Sequence, residues 1–130
     1  MVLKSWIAVI VVATVLTGCA GAFKKPDPAA DYGLPPLNYE QATKDYFHEI
    51  LKDPYSAKYR FEAPQKAYMN TGLAYGGGVK WQGWLVDVRI NAKNSFGGYI
   101  GEKPYMILFR GENVFKHIKG RKHVLLHRVE

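Results

Sequence analysis

Chemistry in this chain would have to come from its one cysteine, its four histidines or a pair of carboxylates, and the spacing of each argues against catalysis. Cys19 has no second cysteine to pair with, so an internal disulfide is excluded. On a strand His123 and His127 would stand about 13 Å apart at about 3.3 Å per residue, too far to share an ion. His48 and His117 are isolated in sequence. There is no Gly-x-Ser-x-Gly elbow to present a nucleophile. Asp87 and Glu102 are carboxylates flanking the most distinctive loop, but spacing alone does not make them an acid and base pair. The residues therefore predict a noncatalytic protein with no metal and no cofactor.

Binding is better represented. Residues 91–103 join two apolar runs through a stretch longer than a usual hairpin loop, and such loops on a rigid scaffold are where function concentrates. This candidate loop opens at Asn91; Asn94 and Ser95 can bond nearby backbone, and Gly97-Gly98 permits positive φ. Phe96 and Tyr99 stand beside Lys93 and Lys103, an aromatic and cationic surface suited to sugars or anions, with Trp81 as a further ring. The same residues equally suit a loop that caps its own backbone and folds its rings onto a sheet. A second candidate is the basic terminus, Lys116, Lys119, Arg121, Lys122 and Arg128, which fits an anionic polymer, an acidic partner strand or a solvated charged edge.

These residues need a folded domain behind them. Of 130 residues 48% are apolar and 22% charged, the balance of a globular chain, with room for one small core. The formal charge is +7. That excess favours anionic partners, with nucleic acid the less accessible choice for an exported protein.

Export is what the first residues predict. Lys4 precedes an apolar run of 11 residues, 6–16, interrupted only by Thr14. Such a run fits a secretory signal but is short of the roughly 20 residues that span a bilayer. Leu16-Thr17-Gly18-Cys19 follows at once and resembles the lipobox of bacterial lipoproteins. The resemblance implies removal of residues 1–18, diacylation of Cys19 and anchoring in the cell envelope. Ala20, where Asp tends to hold such proteins at the inner membrane, implies the outer membrane. Removal takes away Lys4 alone, leaving 17 basic against 11 acidic side chains.

Residues 19–37, with Pro26, Pro28, Pro35 and Pro36, read as a lipidated cysteine and a proline-rich tether. Lys24 and Lys25 near the lipid would each add about 1 kcal/mol at an anionic surface. The single domain is placed at residues 38–130. A capping box of Asn38 and Gln41 starts a helix carrying Tyr39, Ala42, Tyr46, Phe47, Ile50 and Leu51 on one face, and Asp53-Pro54 stops it. Beyond it the period changes to two. Strands are expected over 57–63, 66–70, 84–91 (with a bulge at Gly83), 104–110 and 114–118, and a last strand or short helix over 124–129. The fold class is α+β, one N-terminal helix packed on a four- to five-stranded antiparallel sheet.

Asp53-Pro54-Tyr55-Ser56-Ala57-Lys58-Tyr59-Arg60-Phe61, with the 91–105 segment, is similar to small bacterial lipoproteins of uncharacterised function. That resemblance implies a shared domain and no catalytic residues. Two functions follow: first, a noncatalytic module docking on an envelope protein; second, a binder of a sugar or anionic envelope polymer or lipid through the loop and the basic terminus.

Overall fold

The computed structural model describes residues 22–130; the expected signal segment, residues 1–18, and Cys19 lie outside the described residues. Helix α1 (Tyr39–His48) is followed by β1 (Lys58–Phe61), β2 (Gln65–Asn70), β3 (Val79–Asn91), β4 (Lys103–Arg110), β5 (Asn113–Lys119) and β6 (Leu126–Arg128). The protein is thus α+β, with all six strands in one antiparallel sheet. The expected four or five strands become six. The segment over 124–129, expected as a last strand or a short helix, is a strand, β6, whose three residues pair with Ala67–Met69.

Strand β3 organises the molecule. Its 13 residues pair along one side with β4 and along the other with β2 near its start and β1 near its end, in the order β5-β4-β3-β2-β6 with β1 beyond β2 on β3. The strand begins at Val79, well before the expected Trp84, and runs straight through Gly83. A side chain there would be crowded. A Cβ would meet the Phe109 carbonyl oxygen and the Trp81 ring at 3.0 Å, so the glycine serves close packing across β4 rather than a bulge.

Alternation along β3 gives the sheet two buried faces. On one, Val86, Val88, Ile90, Tyr105, Ile107 and Phe109 cluster with Phe47 of α1, whose ring centroid is 5.0 Å from that of Tyr105. On the other, Ala67, Met69, Trp81, Leu85, Met106, Leu108 and Leu126 form a second cluster, joined by Ile118 and Leu125 at either end of the link from β5 to β6.

The start of α1 differs from the expected capping box. Asn38 makes no side-chain cap, and Gln41 Nε2 donates to Asp45 instead. A carboxylate 74 positions away does the holding: Glu112, in the β4–β5 turn, accepts from the Leu37 and Asn38 amides at 2.9 and 3.1 Å. Those bonds hold its carboxyl below the usual glutamate range. At the other end Ile50 and Leu51 both donate to the Phe47 carbonyl as the chain leaves the helix, and Pro54 opens a 3-10 turn whose Ser56 amide donates to Asp53.

Residues 22–37 have no regular structure, yet they lie along the domain. The Lys24 amide donates to the Gly77 carbonyl at 2.9 Å, Gln82 Nε2 to the Asp31 carbonyl at 2.9 Å, and Trp84 Nε1 to the Gly33 carbonyl at 3.0 Å. Lys66 Nζ stands over the Tyr32 ring. Proline-rich chain cannot join the sheet, but its carbonyls remain good acceptors for the side chains they pass.

Candidate functional site

The end of α1, the 93–100 loop and the ends of β4 and β5 enclose a cleft of about 510 Å³, within the range of small-molecule sites. Its floor is core. Phe47, Ile90, Ala92 and Tyr105 are buried, Leu51 is partly covered, and Ile50, Phe96 and Ile100 are exposed at the rim. The polar rim carries Lys52, Lys93, Lys103 and Lys119, and no carboxylate lines the cleft. None of these lysines joins an ion pair found among the described residues. Glu102 is drawn away to Arg60 and Arg89.

Local folding explains how the loop holds this shape. Asn94 Oδ1 accepts from the Phe96 and Gly98 amides at 2.9 and 3.2 Å, while Asn94 and Gly98 also bond through their backbones. Gly97 sits at φ 78°, which a side chain would strain. Asn91 Oδ1 accepts from the Gly101 amide, closing the base of the loop. Self-capping and surface display are therefore compatible. With the backbone satisfied internally, the Phe96 ring is left 95% exposed. Ser95 Oγ takes a bond from Lys52 Nζ at 3.2 Å, tying the loop to the helix end.

Tyr99 goes elsewhere. Its hydroxyl donates to the Ser56 carbonyl and its ring lies under Lys58 Nζ and Lys93 Nζ, at 4.7 and 5.5 Å, so it braces the loop against the start of β1. Trp81, expected beside a ligand, is buried in the opposite-face cluster.

The basic terminus is dispersed over the sheet. Lys116 pairs with Leu108 and Lys119 with Tyr105, which puts them on opposite faces, and only Lys119 reaches the cleft. Arg128 Nη2 binds the Asp87 carboxylate at 2.7 and 3.0 Å, with Gln65 on the same carboxylate. Arg121 lies 3.9 Å from Glu62. Arg121, Asp87 and Arg89 border a smaller polar groove of about 330 Å³ in which cations and carboxylates alternate, so it has no strong charge preference. Lys122 is exposed.

Residue types alone did not point to His117, Lys52 or Ile50. His117 packs against Phe47 and Tyr105, and its Nδ1 is 2.7 Å from the Tyr46 hydroxyl. Burial first, then Lys119 and Lys116, push its pKa down, so the ring is neutral near neutral pH. No group of metal ligands occurs among the described residues.

Comparison with protein-family models, curated proteins and solved structures found no match for the chain.

Proposed function

We propose that the protein is an exported lipoprotein, anchored by lipid on Cys19 to the envelope and most naturally to the outer membrane. Its domain, a helix laid over one face of the sheet, binds without catalysing. Its ligand is an anionic envelope molecule with an apolar portion, taken into the cleft beside the 93–100 loop. One observation carries this reading: an apolar floor ringed by four lysines with no carboxylate among the lining residues. A cleft with low-dielectric walls and one sign of charge focuses its field on an incoming anion. The floor rewards whatever hydrocarbon comes with it. Purely sugar ligands are less well served, because Phe96 is the one freely exposed ring among the cleft's lining residues.

Titration with lysophosphatidylglycerol, below the concentration at which it forms micelles, tests this against its zwitterionic choline counterpart. The anionic lipid should bind about tenfold more tightly at low salt, a difference of about 1.4 kcal/mol, and the gap should close as salt rises to about 0.3 M. Charge reversal by Lys103→Glu with Lys119→Glu should abolish the preference. Equal binding of the two lipids, or indifference to the reversals, would falsify the reading.

Docking on a protein partner would use a sheet edge, of which β5 offers the longest. That edge is interrupted by a register shift opposite Leu108 and Phe109 and flanked by Lys116 and Lys119, features that discourage strand addition.

A further inference from the structure

Beyond the cleft, we propose that the tip of the β2–β3 hairpin is a membrane-contact surface, held against the bilayer by residues 22–24. The inference rests on the lipid anchor at Cys19 and is independent of the cleft. Three observations converge on it.

The first is where the described chain begins. Buried Asn70, in β2, donates through Nδ2 to the carbonyls of both Lys24 and Gly77, at 2.7 and 2.9 Å, while the Lys24 amide donates to Gly77. Gly77 is a glycine for a structural reason: at φ 65° any Cβ would run into the Ala22 carbonyl oxygen. Residue 22 is thereby fixed beside the hairpin. Only three peptide steps separate it from Cys19, a reach of at most about 11 Å. Whatever bilayer receives the lipid lies within that distance of the hairpin.

The second is what the hairpin displays. A 3-10 turn at Leu73–Tyr75, set between Gly72 and Gly76, holds Leu73 54% and Tyr75 85% exposed. Among the described residues neither side chain joins a core cluster. An aliphatic chain and a tyrosine suit the headgroup layer, where amphipathic rings and apolar faces reach about 5–10 Å deep.

The third is charge. Residues 66–86 contain no Asp or Glu, and exposed Lys24, Lys25 and Lys80 stand close to the hairpin, the first two through the Lys24 bond to Gly77. The nearest acid along the docked segment is Asp27, whose Oδ1 accepts from the Ala29 amide. An anionic lipid surface is the complementary partner. The cleft lies at the other end of β3, about 40 Å away at about 3.3 Å per residue, and so faces outward from the membrane.

Lipidated protein with Leu73→Cys tests the placement. Lipid occupies the Cys19 sulfur, so an environment-sensitive dye reacts at residue 73 alone; a second protein carries the dye at Phe96→Cys. Both are reconstituted into vesicles of phosphatidylethanolamine and phosphatidylglycerol, with or without brominated acyl chains. The dye at 73 should shift to the blue and be quenched at least twofold by bromine, and the dye at 96 should be unaffected. Proteins that float with the vesicles while the dye at 73 stays in water, or while both dyes are quenched alike, overturn the proposal and leave the anchor standing. Failure to float at all overturns the anchor, and the proposal with it.

Discussion

His117 joins the core to the cleft at a single ring. Facing it are the Tyr46 hydroxyl and Phe47 from α1, Tyr105 from β4 and Lys119 from its own strand, with Lys103 also lining the cleft and Lys116 acting on it from the other face of β5. Every charge in that set is positive, and burial adds to their effect, so the folded protein resists protonation here. A lowered folded pKa means that the unfolded chain takes the proton first. This site's contribution to stability is therefore intact above about pH 6.5 and falls as the pH drops toward the lowered folded value. An anion in the cleft reverses the local balance. Binding should raise the His117 pKa, so affinity for lysophosphatidylglycerol should increase between pH 7 and pH 5, by at most tenfold per unit. His117→Asn should flatten that profile and leave the lysine-dependent preference for anions in place. A nuclear magnetic resonance titration in which the His117 ring shifts at the same pH with and without lipid would refute the coupling.

At the scale of elements, Glu112 shows what sequence pattern reveals and what it misses. The strands were legible because alternation survives in the chain: Val86, Val88 and Ile90 announce β3, and the dense run after Pro104 announces β4. The helix was legible from Tyr39, Ala42, Tyr46 and Phe47. Hidden were the relations between elements: the six-stranded order, the pairing of β6 with β2, and a helix start held from the β4–β5 turn. Only folding brings Glu112 to the Leu37 amide. The cleft was half legible for the same reason. Its loop stood out by composition, whereas Lys52, Ile50 and His117 join it through packing of α1 and β5. Glu112→Gln tests the cross-chain hold. Because the carboxyl pKa is lowered by the fold, its contribution is present above the ordinary value of about 4.3 and disappears as the pH falls through the depressed one. Thermal melts should show the variant less stable near neutral pH, with the two proteins converging as the pH falls through the depressed carboxyl value. A constant gap across that range would mean that the carboxylate charge is not what holds the helix start.

For the whole molecule, the question is whether residues 22–37 act as a leash or as a clamp. Four prolines in an exposed stretch suggest free chain, and a free chain of that length would let the domain wander. The bonds from Asn70, Gln82 and Trp84 to carbonyls of this stretch argue otherwise, since each fixes backbone whose proline neighbours already limit its freedom. In the proposed membrane contact Leu73 and Tyr75 alone are too small a surface to hold a domain on a bilayer; they would need the short connection to the proposed lipid on Cys19 to keep their effective concentration high. The position of an inserted spacer therefore matters more than its length. Ten Gly and Ser residues placed after Ala20 add a coil with a root-mean-square span of about 17 Å between lipid and domain. Energy transfer from a donor at Phe96→Cys to an acceptor dye in the membrane should then broaden and weaken. The same ten residues placed after Pro28 lengthen a loop whose ends are both fixed on the domain, at a small closure cost of the order of 0.6 kcal/mol per doubling. Transfer should stay as in the unmodified protein, because residues 22–24 still hold the hairpin to the surface. Equal loss from the two insertions would make the segment a leash after all, with the hairpin drifting free of the membrane.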